Sequence, residues 1–164
     1  MVIALMLGRK GSQGFPGKNT FPILGRPMMI YPLIAALEAS LVDDVYVSTD
    51  SDEIRNLTLG YGAKIIDRPP ELASKKALGE DAYVHGYRHI CNHLDEKPKL
   101  LVLLFCNAAT ILAQTIDEGI QTLQKDPTLD SAVTVSAYNM WSPIRARKLD
   151  QEGLLQPFIP FETF

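Results

Sequence analysis

VIALMLGRKGSQGFPGKN, residues 2–19, runs from six successive apolar residues into a loop with glycine at positions 8, 11, 14 and 17 and the cations Arg9, Lys10 and Lys18. An unbroken apolar run of this length reads as a strand buried on both faces, the usual condition of a strand in a parallel sheet. Glycines directly after it let backbone N–H groups approach an anion without side-chain obstruction, and phosphates are what such cradles hold. A strand, a flexible cationic loop and then a helix is the opening unit of an open α/β sheet, where ligands bind beyond the carboxyl ends of the strands.

Working outward, the same alternation recurs. Residues 45–49 (VYVST), 63–66 (AKII), 100–106 (LLVLLFC) and 132–137 (AVTVSA) read as further strands. The stretches 27–40, 51–60, 79–94 and 115–125 place apolar residues three and four apart, as Ile116, Ile120 and Leu123 do, and read as crossover helices. The expected fold is a Rossmann-like three-layer α/β/α sandwich with a mostly parallel central sheet. Pro32 falls inside the first helical pattern and either kinks it or marks its first turn. No repeat, low-complexity tract or Pro/Gly/Ser linker divides the chain, so one domain is expected. The tail LLQPFIPFETF, residues 154–164, carries three phenylalanines and two prolines without a polar cap, and expects a partner surface.

The 164 residues, 46% hydrophobic with mixed charge, suit a sizeable core. A net charge of −3 and a pI near 5.6 argue against a general nucleic-acid binder. The anion site is therefore local: Arg9, Lys10, Lys18 and Arg26 precede the first acid, Glu38, so the first 37 residues carry +4. Cys91 and Cys106 lack metal-ligand spacing and read as buried thiols of a reduced, cytoplasmic protein. The apolar N-terminus is too short for a signal core or a membrane span, and no membrane association is expected.

Spacing separates the loop from the common phosphate binders. Five residues lie between Gly11 and Gly17-Lys18, where a Walker A loop has four, and Asn19 stands where that loop has its magnesium-binding hydroxyl. The glycines are three apart throughout, so the G-x-G pair of a dinucleotide fingerprint is missing too.

The stretch Arg9-Lys10-Gly11-Ser12-Gln13-Gly14-Phe15-Pro16-Gly17-Lys18-Asn19 is similar in register to the R-x-G-S-K-G-x-x-x-K-N opening of the nucleotide-sugar cytidylyltransferases, acylneuraminate type. The resemblance continues, in order, through Gly25-Arg26-Pro27-Met28, Val47-Ser48-Thr49-Asp50-Ser51-Asp52-Glu53-Ile54, Tyr61-Gly62-Ala63 and Arg68-Pro69-Pro70-Glu71-Leu72-Ala73. One stretch departs: where the family has Q-P-T-S-P, this chain has Phe105-Cys106-Asn107-Ala108-Ala109. Phe105 offers no hydrogen bond there and is expected to pack in the core at the strand end, leaving the Asn107 amide for recognition.

The resemblance implies nucleotidyl transfer: the anomeric hydroxyl of an acidic 2-keto sugar, sialic-acid-like, attacks the α-phosphate of CTP and pyrophosphate leaves. It implies that Arg9 and Lys18 meet the triphosphate as the catalytic cations, beside the backbone N–H groups of Gly11 and Ser12. Leu7 and Gly8 would read the cytosine edge through their backbone, helped by Asn19 and Arg68, with Asn107 near the nucleotide or sugar. Magnesium is the implied cofactor; its ligands are not evident. Residues 1–164 would form a single nucleotidyltransferase domain, shorter than a typical member, which carries a dimerisation segment and metal-binding acids downstream. The expected partners are CTP, the keto sugar and a second copy of the chain in a homodimer. Two other readings stay open: a nucleotide-binding regulatory module without catalysis, and a nucleotidyltransferase or glycosyltransferase for another sugar.

Several residues carry weaker expectations. Asp52 and Glu53 read as capping a helix start, and Asp50 is open between that and metal binding. Lys10 is equally a phosphate contact or a solvated cation. His85, His89 and His93 share a helix face, but no carboxylate or thiol completes a zinc site, and a mix of part-buried and solvated histidines is expected. Trp141 leans toward packing, and the basic run 145–148 reads as either an acid-sugar contact or a solvated edge strand.

Overall fold

The computed structural model describes residues 1–11, 14–74, 76–135 and 147–159. It separates into two compact units, Met1–Ala132 and Val133–Phe164.

The first unit opens with β1 (Val2–Leu7), then a small antiparallel hairpin of β2 (Pro22–Ile23) and β3 (Arg26–Pro27). There follow α1 (Ile30–Glu38), β4 (Asp44–Thr49), α2 (Asp52–Gly60), β5 (Lys64–Asp67), α3 (Pro70–Ala73), α4 (Gly79–His93), β6 (Leu100–Phe105) and α5 (Ala113–Lys125). Strands β1, β4, β5 and β6 form one sheet in the order β5-β4-β1-β6, parallel at every pairing. β1 is central, which is why all six of its residues are buried.

Alternation along β1 sends its side chains to two cores. Val2, Ala4 and Met6 pack in a cluster with Met29, Ile30 and Leu33 at α1, Ile54 of α2, and Ile116 and Ile120 of α5. Ile3 and Leu5 turn to the other face, with Tyr46, Ile66 and Ile90 of α4. Each face of the sheet thus carries helices, the three-layer α/β/α arrangement expected from the alternation. Among the described residues no helix is long and apolar enough to cross a membrane.

Pro32 is the third residue of α1, inside the first turn, where its missing N–H has no intrahelical acceptor to lose. The strand expected at 132–137 does not form over its described part: residues 132–135 belong to no strand, and Val133 and Val135 are exposed. Branched residues favour a strand only where a neighbour supplies hydrogen bonds and a surface to pack on; residues 136 and 137 lie outside the described set.

The second unit, in its described part, is an antiparallel pair of β7 (Arg147–Leu149) and β8 (Leu155–Pro157). Asp150 closes the turn, accepting from the backbone N–H groups of Glu152 at 3.0 Å and Leu154 at 2.9 Å and from the Gln156 amide at 2.9 Å. Arg147 and Lys148 of the basic run are exposed on this hairpin, while Arg145 and Ala146 lie outside the described residues. Leu154, Leu155 and Phe158 of the tail are exposed, and residues 160–164 are likewise outside the description.

Candidate active site

From β1 the chain steps outward to β4 and β5, then returns to the far side of β1 to lay down β6. The carboxyl ends of β1 and β6 therefore border the crevice that such a reversal of direction opens. A cavity of about 250 Å³ lies there, and Leu7, Arg9, Lys18, Asn19, Arg68 and Asn107 all line it. These six were singled out by sequence, from three separate segments, and the fold brings them together.

Gly8 sits under the cavity rather than in its wall. Its N–H donates to the Ser48 carbonyl at 3.1 Å. A Cβ built on it would fall 2.4 Å from Cys106 Sγ and 3.2 Å from Ile54 Cδ1, so only glycine fits between β1 and β6 here. Gly11 has φ of +76° and Gly17 +71°, left-handed conformations that carry the loop back on itself. Gly11 borders a smaller cavity of about 60 Å³ that Lys10, Lys18, Thr20 and Glu53 also line. Ser12 lies outside the described residues.

Hydrogen bonds tie the glycine-rich loop to itself and to the turn and helix start that follow β4. The Lys10 N–H donates to Asp50 Oδ1 at 2.7 Å, and Asn19 Nδ2 donates to the Arg9 carbonyl at 3.3 Å. Thr20 Oγ1 donates to Glu53 Oε2 at 3.0 Å. Arg9 reaches across the cavity mouth, its Nη1 donating to the Ser74 carbonyl at 2.7 Å. Asp50, left open by the sequence, is thus a loop anchor in this structure. The helix-start expectation is redistributed: the capping side chain of α2 is Ser51, whose Oγ accepts from the Ile54 N–H at 3.4 Å, while Asp52 and Glu53 occupy the first turn and complement the helix dipole.

Arg68 is buried, with its Nε donating to Ser48 Oγ at 3.1 Å and Nη2 to the Ser48 carbonyl at 2.6 Å. Burial lowers its pKa from the ordinary arginine value, with the nearby Asp50 opposing the shift. A guanidinium does not lose its proton in that range, so the arrangement presents a fixed positive charge to the cavity on a low-dielectric backing. Ser48, in a motif the sequence displayed but assigned no role, is what aims it.

Phe105 contradicts the expectation that it packs in the core. It is 52% exposed and lines the cavity, at the end of β6, the edge strand of the described sheet. Tyr83 of α4 packs edge-on against it, ring centroids 5.8 Å apart, and donates its hydroxyl to the Leu104 carbonyl at 2.8 Å. Burial raises the Tyr83 pKa far above the usual phenol value, so this hydroxyl stays protonated. With Leu72, Leu78 and Ala82, Phe105 gives the cavity an apolar side that the sequence reading did not find. The signal was the Leu-Ala of the 68–73 motif and the start of the next helix, which nothing local ties to a ligand.

The histidines behave as a packed ladder. His85 and His89 are half-buried and His93 exposed; the rings of His89 and His93 stack at 4.1 Å. Burial, then the charges of His93 and His85, lowers the His89 pKa. Among the described residues no three His, Cys, Asp or Glu side chains are placed to hold a metal ion, so these residues do not fit a magnesium ion held by protein side chains alone. Cys106 is a buried free thiol pushed up to about 12 by burial, and Cys91 is also free. Trp141 lies outside the described residues.

Comparison with known proteins meets this geometry from the side of sequence. Residues 3–139 match the family model described as Cytidylyltransferase. The chain is 29% identical over 150 residues to a pseudaminic acid cytidylyltransferase and UDP-2,4-diacetamido-2,4,6-trideoxy-beta-L-altropyranose hydrolase of Helicobacter pylori, covering 90% of this chain and 28% of that one. It is 37% identical over 81 residues to an N-acylneuraminate cytidylyltransferase of Streptococcus agalactiae, covering 48% of this chain and 20% of the relative. A structure of CMP:2-keto-3-deoxy-manno-octonic acid synthetase complexed with CTP superposes with a TM-score of 0.64 at 23% identity, over 78% of this chain and 49% of that one. The chain therefore spans at most about half the length of these relatives. With the first strand, the glycine-rich loop and the crevice all inside the matched span, the chain belongs to the cytidylyltransferase family of nucleotidyltransferases.

Proposed function

We propose that the protein transfers CMP from CTP to the anomeric hydroxyl of an acidic 2-keto sugar and releases pyrophosphate. The observation that carries this reading is the convergence of Arg9, Lys18, Asn19 and Arg68 on one cavity at the carboxyl end of β1, in a chain of this family. The names of the relatives, which specify pseudaminic acid and N-acylneuraminate, support the sugar class.

In the reaction a bond forms between the sugar oxygen and the α-phosphorus while the bond from that phosphorus to the bridging oxygen of pyrophosphate breaks, and the hydroxyl proton is lost to solvent or a base. Such a displacement needs positioning and charge neutralisation more than covalent help. Arg9 and Lys18 take the negative charge that grows on the departing pyrophosphate. Gly11 offers its backbone N–H to the same oxygens. Asn19 and Arg68 read the cytosine edge beside Leu7; the Gly8 N–H is engaged by the Ser48 carbonyl and the Leu7 carbonyl by the Cys106 N–H, so these two backbone groups are not offered to the base, and Asn107 lies toward the acceptor. We propose also that the protein acts as a cytoplasmic homodimer; a sedimentation mass of one chain would overturn the dimer.

Competition binding with the four nucleoside triphosphates tests the reading. Groups shaped for the cytosine edge reject uracil because a buried polar atom is left unpaired, so CTP displaces a bound reporter at lower concentration than UTP. Equal affinity for the two, or a preference for a purine, would sink the cytidylyltransferase reading. Pyrophosphate release on adding a keto sugar separates an enzyme from a nucleotide-binding module.

A further inference from the structure

Arg68 comes to the cavity from the far side of the sheet. It is the residue after β5, the edge strand opposite β6, and its own N–H donates to the Thr49 carbonyl at 3.0 Å. Its side chain therefore crosses the carboxyl end of β4 before it meets a cavity bordered by β1 and β6. An unsupported arginine side chain spreads over many rotamers and is ordered only where something holds it. Ser48 stands at the crossing, in β4 and paired in register with Leu7 of β1. Its residue type breaks the local pattern. Tyr46, two residues earlier on the same face of β4, packs with Ile3, Leu5 and Ile66, so an apolar side chain at position 48 would continue that core. The chain instead places a hydroxyl there, with no exposed surface. A buried hydroxyl is tolerated when it is hydrogen-bonded, and this one serves Arg68: Oγ accepts from Nε at 3.1 Å, while the Ser48 carbonyl accepts from Nη2 at 2.6 Å. The same carbonyl accepts from the Gly8 N–H at 3.1 Å. Ser48 is not among the residues lining the cavity, yet it fixes the arginine at two points and ties it to the start of the glycine-rich loop.

We propose that Ser48 is a positioning residue for base selection: by immobilising the Arg68 guanidinium, its hydroxyl sets the preference for CTP over UTP. This rests on the cytidylyltransferase reading and adds to it a residue that touches no substrate. A guanidinium only donates hydrogen bonds. Cytosine offers it neighbouring acceptors, the ring nitrogen N3 and the carbonyl O2, whereas uracil carries an N3–H donor where cytosine has bare N3. Nη1, the part of the guanidinium not bonded to Ser48, is left to the cavity that Arg68 lines. Held in one place, it matches the cytosine edge and meets the uracil N3–H donor against donor, which strands a buried polar group. Free to pivot on the Ser48 carbonyl alone, it would turn to a uracil carbonyl instead, and the distinction would fade. Selection thus depends on immobility as much as on charge, and the hydroxyl supplies the second point that prevents the pivot.

The test is competition binding of CTP and UTP to the parent, Ser48→Ala, Arg68→Ala and the double variant. The parent's preference for CTP is expected to fall about tenfold in Ser48→Ala, the worth of one hydrogen bond to a charged group. It falls in Arg68→Ala as well, and adding Ser48→Ala to that variant changes the ratio by less than about twofold, because the serine acts only through the arginine. Ser48→Cys keeps the shape of the side chain and substitutes a weak acceptor, so it takes the place of Ser48→Ala if that variant does not fold. A merely structural serine lowers both affinities alike. A CTP-to-UTP ratio within about twofold of the parent's in whichever serine variant is read would therefore overturn the proposal. So would a further fall of about tenfold on adding Ser48→Ala to Arg68→Ala. A parent that binds CTP and UTP equally would instead sink the underlying reading, and that arm is read without any variant.

Discussion

Single residues at the crevice divide into those that line it and those that hold the fold. Arg9 and Lys18 are half-buried loop cations, and the Arg9 bond to Ser74 lies at the exposed cavity mouth. Arg9→Ala and Lys18→Ala are therefore expected to weaken CTP binding by roughly 1.5–3 kcal/mol each, about ten- to a hundredfold, with melting temperatures near that of the parent. Calorimetry showing either variant binding CTP as tightly as the parent would contradict the phosphate role. Gly8 is the opposite case. Its missing Cβ is the space that Cys106 Sγ and Ile54 Cδ1 occupy. Gly8→Ala should cost on the order of 1–3 kcal/mol from overpacking. Adding Cys106→Ala removes the sulfur and leaves the Cys106 Cβ at 3.5 Å, an ordinary contact. The double variant is expected to recover part of the loss in urea denaturation, and strictly additive losses would show that the sulfur is not the obstacle.

At the scale of elements, α2 shows how one helix start serves the loop. Ser51 caps it, and the acids of its neighbourhood reach the glycine-rich segment: Asp50 holds the Lys10 N–H and Glu53 the Thr20 hydroxyl. Ser51→Ala should lower stability by about 1 kcal/mol, the usual worth of an N-cap, read as a shift of the urea midpoint at unchanged slope. Between α1 and α5, the Asp117 carboxylate accepts from the Ser40 N–H and hydroxyl and the Leu41 N–H. The Ser40 backbone bond first among these holds its pKa below the ordinary 3.8. A carboxyl depressed in the folded state adds stability above that value and loses it as pH falls through the folded pKa. His89, whose pKa burial lowers from 6.5, acts in the same direction at higher pH: its contribution is intact above 6.5 and declines as acid protonates the ring in the folded protein. Melting temperature should therefore fall in two stages on acidification. His89→Gln should flatten the upper stage only and Asp117→Asn the lower only; a profile in His89→Gln that matches the parent between pH 7 and 5 would discard the histidine contribution.

For the whole molecule, the reversal of the chain around β1 makes the site. Placing β6 beside β1 rather than beyond β5 sets Phe105 and Asn107 across the crevice from Arg9 and Arg68. The same placement leaves β6 at the edge of the described sheet, with Leu103 50% and Phe105 52% exposed, so the crevice carries an exposed ring beside β6 and cations beside β1 and β4.

Much of this was legible in the sequence by itself. The bare apolar run of β1 and the 3.6-residue periodicity of the helices prescribed the alternating architecture, since a strand buried on both faces and a helix with one apolar stripe have few other ways to hide their surfaces; the equally apolar run of β6 did not show that it would form an exposed edge of the described sheet. Arg9, Lys18, Asn19 and Arg68 could be picked out because glycine spacing and ordered motifs are local properties of the chain. What only the tertiary structure decided was relation across distance: that Ser48 orients Arg68, that Arg9 spans to Ser74, that Gly8 must lack a Cβ because Cys106 lies against it, and that Phe105 lines a cavity instead of a core. The reason is that a side chain's surroundings depend on which strand stands next to its own and on where the sheet ends, and strand order is set by packing between segments some forty to a hundred residues apart, such as β1 with β4 and β6, which no local pattern records.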